Sequence, residues 1–131
     1  MISDSNRRLI ESHFDALERG DFDALANSIT DDFIQDWPQS GERVRGKEAC
    51  LNVFRNYPGG GPTARLRRVS GEGDLLVVEV DMDYSGKPTH MVAIIELRDG
   101  KISRETDYWA DPFPAPAWRS QWVERIEAVP A

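Results

Sequence analysis

Apolar positions recur at helical spacing in the first third of the chain and at strand spacing in the second half. Within residues 3–19, Leu9, Ile10, His13, Phe14 and Leu17 fall on one side of a helix, with charged residues between them. Ser3 or Asp4 can cap its start, and Gly20 supplies the left-handed residue that ends it. Asp21 then caps a second, short helix carrying Phe22, Leu25 and Ile29, so the two form a tight hairpin. Residues 32–37, Asp-Phe-Ile-Gln-Asp-Trp, predict a short strand closed by Pro38. After a loop, residues 47–56 predict a third helix with Cys50, Leu51, Val53 and Phe54 on its apolar side. The run Pro58-Gly59-Gly60-Gly61-Pro62 leads into a strand and lacks the Lys-Ser/Thr of a phosphate loop, so it reads as a connector.

From there the period is two. Residues 64–70 predict one strand. Residues 74–84 set Leu76, Val78, Val80, Met82 and Tyr84 on one face and Glu79, Asp81 and Asp83 on the other. Ser85-Gly86-Lys87 turns into residues 89–97, and Asp99-Gly100, a strong hairpin signal, turns into 102–109. Helices first and a meander of four antiparallel strands afterwards predict an α+β domain with the helices on one face. The segment from Asp111 is stiff with proline. Beyond it Trp118, Trp122, Val123 and Ile126 predict one face of a short helix, packed over the core or a pocket mouth, or against a second copy.

Length, charge and cysteine count narrow this reading. One domain over residues 1–131, with 111–131 as its tail, is the expectation for 131 residues, and such a chain buries roughly two-thirds of its unfolded surface without disulfides or metal. A net charge of −7 argues against nucleic acid as a partner, which needs a basic surface. Arg65, Arg67 and Arg68 lie opposite the acidic strand and predict cross-strand pairing. Cys50 is the only cysteine, which fits a reducing compartment. No apolar run reaches the ~20 residues of a membrane span, nor does the N-terminus read as a secretory signal, so the expected location is the cytoplasm and no membrane partner is expected. Two histidines and one cysteine at unrelated positions give no metal-ligand spacing, and no dinucleotide fingerprint is present, so no cofactor is expected.

The order helix hairpin, strand, helix, meander resembles the nuclear transport factor 2-like cone. Residues 33–48, FIQDWPQSGERVRGKE, resemble the strand–loop–helix of SnoaL-like domains, and residues 99–109, DGKISRETDYW, resemble their final hairpin. The resemblance implies three helices packed on a curved, mostly antiparallel sheet that encloses a conical pocket, and a function fixed by the site rather than the fold. Asp36 matches the place of the ketosteroid isomerase aspartate that precedes a proline-containing loop. His13 stands where that enzyme has a tyrosine, and Ala93 stands near its second aspartate. Asp107 matches an inward-pointing aspartate on the last strand of SnoaL-like cyclases and limonene epoxide hydrolase-like enzymes. The preceding strand holds none of the hydrolase's arginine and aspartate. A pocket histidine, as in the cyclases, is supplied by His13 or His90.

On this reading Asp107, Asp36 and His13 are the candidate catalytic groups. Period-two alternation adds Glu105 and Trp109 to the Asp107 face. Trp37, Phe14, Phe54, Tyr57, Val80, Met82 and Met91 are the expected ligand-binding wall. Carboxyls entering an apolar cavity rise in pKa, and an unperturbed histidine titrates near ~6.5, so the set suits proton abstraction beside a carbonyl. Two other readings stay open. The pocket can hold a small hydrophobic molecule without transforming it, or the outer sheet face and the tryptophan tail can build a homodimer.

Overall fold

Helix α1 (Asp4–Arg19) forms where its apolar stripe lies, with the Ser3 hydroxyl accepting from the Asn6 N–H at 3.2 Å and Gly20, at φ 68°, closing the end. Helix α2 (Phe22–Ser28) follows after one residue, capped by Asp21, whose carboxylate accepts from the Ala24 N–H at 3.1 Å. These elements come from a computed structural model, which describes residues 1–126. Strand β1 (Ile29–Trp37) starts directly at the end of α2. Ile29, expected on the helix, is therefore the strand's first buried residue.

The stretch expected as a loop contains a short strand, β2 (Glu42–Arg45), antiparallel to β1 with Trp37 opposite Glu42. Helix α3 (Lys47–Arg55) leads through the glycine connector to β3 (Thr63–Glu72), β4 (Leu75–Tyr84), β5 (Lys87–Arg98) and β6 (Lys101–Ala110). The meander does not stop at four strands. β6 pairs in parallel with β1, giving one curved, mostly antiparallel sheet in the order β2-β1-β6-β5-β4-β3. Since β1 and β6 are about seventy residues apart, no turn signal announces that pairing.

The concave face carries the core. Leu76, Val78, Val80 and Met82 of β4 meet Met91, Ala93 and Ile95 of β5, with Ile10 and Phe14 of α1 across from them. Burying each large aliphatic side chain contributes about 1.5–3 kcal/mol. On the opposite face the expected charge pairing is present: Arg65 and Arg67 lie 3.5 and 3.2 Å from Asp81, and Arg68 bonds Glu79. His90 faces out with them, 3.2 Å from Asp81, so it does not supply a pocket histidine.

At the β3–β4 turn, Gly71 holds φ at +125°, and a Cβ there would lie 2.3 Å from the Leu75 carbonyl oxygen and 2.9 Å from the Leu76 Cα. Both obstacles are backbone and cannot swing aside. Gly71→Ala is expected to cost about 2–3 kcal/mol in urea denaturation, with unchanged secondary structure below the transition.

The tail departs from expectation. Pro112, Pro114 and Pro116 withhold backbone donors, and among the described residues only one short 3₁₀ segment (Ala117–Trp122) follows them. Trp118 and Trp122 stay 74% and 73% exposed, and neither packs over the core or the pocket mouth. Among the described residues no helix is long and apolar enough to cross a membrane.

Candidate active site

Strand β6 acquires its inward carboxyls through a bulge. Leu97 pairs Ile102 and Glu96 pairs Arg104, so Ser103 is the extra residue and its hydroxyl bonds the Glu96 carbonyl at 3.1 Å. The inward parity therefore changes from Ile102 to Glu105 and Asp107. Without the bulge, Arg104 and Thr106 would face the core. The neighbouring β1 turns Phe33, Gln35 and Trp37 inward, with Gln35 in register with Glu105.

These side chains meet at one wall of a cavity of about 490 Å³ between the helices and the concave sheet, within the range of small-molecule sites. The wall includes His13, Phe14, Trp37, Phe54, Tyr57, Met82, Met91, Glu105, Asp107 and Trp109, all of them named from the sequence. Val80 is different: 2% exposed and pointing inward, it sits within the core behind the wall. Its position on β4 is deeper than that of Met82, where the layers above it have already closed.

Asp107 is 1% exposed and Glu105 3%, side by side on β6. The Gln35 amide donates to Asp107 Oδ2 at 2.6 Å and to Glu105 Oε2 at 3.3 Å, and Trp37 Nε1 donates to Asp107 Oδ2 at 3.1 Å. Burial raises both carboxyls, Glu105 well above the usual range, and the neighbouring Asp107 charge pushes Glu105 further up. Two N–H donors on one oxygen favour charge on Asp107, whereas Glu105 receives a single long bond. Burial and the neighbouring charge thus weigh most against ionising Glu105, whereas the Gln35 and Trp37 bonds favour the charge on Asp107. Glu105 Oε1 and Asp107 Oδ1 have no N–H or hydroxyl partner, which leaves them to a proton between the carboxyls or to a ligand.

His13 adjoins the pair, its Nε2 3.8 Å from Glu105 Oε1. That separation allows an ion pair, but burial pushes the imidazole down to about 4. The ring is thus neutral at pH 7, and the contact is not a salt bridge. Nδ1 meets the Ser28 hydroxyl at 2.7 Å. The Cys50 thiol at the same wall is pushed up to about 12 by burial, then by the two carboxyls, and stays protonated. Tyr84, also pushed up to about 12 by burial, accepts from Trp109 Nε1 at 3.0 Å and keeps its own proton for the cavity.

Asp36 does not join this set. Its neighbours Gln35 and Trp37 face in, so strand alternation turns Asp36 out, where Arg43 holds both its oxygens at 2.6 and 3.0 Å and Arg104 adds a bond of 2.8 Å. Those guanidinium hydrogen bonds, Arg43 first, hold its pKa down to about 2. The stability it supplies is present above the ordinary carboxylate pKa and is lost as pH falls toward 2. Asp36→Asn is expected to lower stability by about 1 kcal/mol, as measured by denaturation.

Sequence reasoning missed Gln35 and Ser28. Gln35 had a signal, since it shares the Trp37 face by alternation. Ser28 had none, because only the fold brings the end of α2 to His13.

Residues 10–105 match the family model described as a SnoaL-like domain. An NTF-2-like protein of unknown function from Burkholderia xenovorans is 42% identical, with 94% of this chain and 96% of that chain covered and a TM-score of 0.86. A proposed ketosteroid isomerase from Kribbella flavida is 28% identical over 96% of this chain and 93% of its own, again at 0.86. IdmH, a proposed polyketide cyclase from Streptomyces antibioticus, shares the fold at 20% identity, with 79% and 91% coverage and a TM-score of 0.68. Among curated proteins, none matches the sequence.

Proposed function

The chain belongs to the SnoaL-like domain family, and we propose that it is a cofactor-independent enzyme that moves a proton on a small, largely apolar carbonyl compound. The observation that carries this reading is the buried Glu105–Asp107 pair at one wall of an apolar cavity, where hydrogen bonds favour charge on Asp107 and burial raises Glu105 well above the usual range; on this reading Glu105 holds the pair's proton and Asp107 is the anion. Two carboxyls with environments that separate their pKa values divide naturally into an acid and a base.

With a carbonyl compound bound, Asp107 takes a proton from the carbon beside the carbonyl. The C–H electron pair moves into the new C=C bond and the carbonyl electrons onto oxygen. The Glu105 O–H hydrogen-bonds that oxygen and stabilises the enolate. Where the substrate has a C=C at the next position, the enolate extends over it, and return of the proton to the far carbon completes an isomerisation. Attack of the enolate carbon on a second carbonyl, whose oxygen takes the proton, completes a cyclisation. His13 lies against Glu105 and accepts no proton from solvent near neutral pH. The description of the Kribbella relative as a proposed isomerase agrees with the first outcome.

The test is exchange in D₂O. Wild-type protein incubated with a panel of small cyclic and linear ketones is expected to place deuterium beside the carbonyl of at least one, read by mass spectrometry. Ketones that bind in the cavity yet gain no deuterium would sink the proposal.

One observation favours a second reading: at 1% and 3% exposure the carboxyls are almost sealed. A pocket of that kind suits an apolar metabolite held unchanged. Recovery of a converted product after incubation counts against it.

We place this activity in the cytoplasm, where Cys50 stays a thiol, and in a homodimer joined through the outer sheet face. That face exposes Val77, Val92, Ile94 and Tyr108 at 36–43%. Contiguous apolar side chains of this kind mark contact surfaces. Light scattering is expected to give a dimer for the wild type and a monomer for Ile94→Arg. A wild-type monomer at high concentration would refute the dimer.

A further inference from the structure

We propose that Ser28 fixes the tautomer of His13 so that a bare Nε2 faces Glu105 and helps to keep that carboxyl protonated. Ser28 makes two short contacts, to the Leu25 carbonyl oxygen and to His13 Nδ1, each at 2.7 Å. A serine hydroxyl owns one proton. The Leu25 carbonyl can only accept, so the hydroxyl proton is committed there. What remains toward His13 is a lone pair, and an acceptor at 2.7 Å requires Nδ1 to carry a hydrogen.

The consequence appears at the other nitrogen. The ring is neutral, so with Nδ1 protonated Nε2 is bare, and its lone pair lies 3.8 Å from Glu105 Oε1. A lone pair facing a carboxyl oxygen favours the protonated acid there. The alternative tautomer would put an N–H toward Glu105 and ease its ionisation, which weakens its role as the acid while Gln35 and Trp37 still favour charge on Asp107. Ser28 touches no cavity ligand in this scheme and is a positioning residue. It acts through α2: its side chain bonds the carbonyl three residues back, so the helix backbone sets the direction of its lone pair. His13 is held in turn by an edge-on contact with Phe14, ring centroids 5.2 Å apart, which limits ring flipping.

The assignment of acid and base rests on the proposed function, whereas the tautomer does not, and the experiment separates the two. Long-range ¹⁵N–¹H spectra of the full-length protein at neutral pH report the protonated nitrogen of each histidine, with exposed His90 as the internal reference. His13 is expected to show Nδ1–H and a bare Nε2. In Ser28→Ala the Nδ1–H signal is expected to be lost and Nε2–H to replace it. The Glu105 carboxyl ¹³C signal should then titrate at lower pH than in the wild type, while the Asp107 signal stays carboxylate-like. Deuterium exchange into the ketone is expected to fall by about tenfold or more. Ser28→Thr, which keeps the hydroxyl, is expected to restore Nδ1–H and exchange. An Nε2–H signal in the wild type overturns the proposal, with no need for a folded variant. A Ser28→Ala protein that keeps Nδ1–H, or one that changes tautomer while the carboxyl signals stay as they were, overturns it equally. If no ketone exchanges while the tautomer and carboxyl changes occur as stated, the enzymatic reading fails and the positioning by Ser28 stands.

Discussion

Asp107→Asn is expected to lower kcat for ketone exchange by about a thousandfold, within the range for loss of a general base. The substitution keeps shape and volume. Its amide oxygen can still accept from Gln35 and Trp37, which bond Asp107 Oδ2 at 2.6 and 3.1 Å. Ligand affinity should therefore change little, and the loss should fall on kcat rather than KM. Stability should hold or improve, because a buried negative charge 1% exposed is removed while its hydrogen bonds are kept. Glu105→Gln should act differently. Glutamine resembles the protonated acid and keeps an N–H donor, so turnover should fall by less than for Asp107→Asn. Parallel measurement of kcat, KM and urea midpoint for the two variants checks all of this. Equal losses in both variants would mean that the carboxyls do not divide their roles as described.

The second large effect is on stability, between pH 7 and 4. Burial lowers His13 from its ordinary 6.5 to about 4, so over this window the unfolded chain binds a proton that the native protein refuses. Stability from this group is present above pH 6.5 and is lost on acidification, by about 3 kcal/mol at pH 4. Glu105 works in the opposite direction, since its raised pKa makes the native state bind the proton first, and its contribution is lost as pH rises. The two effects partly cancel in the wild type. His13→Gln removes the first and leaves the burial that raises Glu105, so denaturation at both pH values should show the wild type losing up to about 3 kcal/mol more than the variant on acidification. A difference near zero would mean that His13 titrates normally in the folded protein.

How much of this was legible depends on which rule placed each residue. Alternation along the last strand put Glu105, Asp107 and Trp109 on one face, and the helical stripe put His13 and Phe14 together; both are local periodicities that tertiary structure did not disturb. The Ser103 bulge was not legible. It left the expectation intact because the residues beyond it keep period two among themselves. Asp36 went astray for a reason of parity. Its position before a proline-containing loop matched a motif, whereas the facing of Phe33, Gln35 and Trp37 decides that Asp36 turns to Arg43 and Arg104. The same parity argument, applied to Trp37, would have found Gln35. The parallel pairing of β1 with β6 and the approach of Ser28 to His13 arise only when distant segments meet, and no local pattern encodes them. The expected packing of the tail over the core is not seen among the described residues: tryptophan content says what a segment could bury, while Trp118 and Trp122 stay exposed beyond three prolines.

The central claim is one proton shared by two buried carboxyls, seated on Glu105. A ¹³C carboxyl titration of the unliganded wild type, with Glu105→Gln and Asp107→Asn for assignment, tests it most directly. The prediction is an acid-like Glu105 signal and a carboxylate-like Asp107 signal together at pH 7, with Glu105 ionising only well above the usual glutamate range. Two carboxylate signals at pH 7, both titrating near their ordinary values, would contradict it.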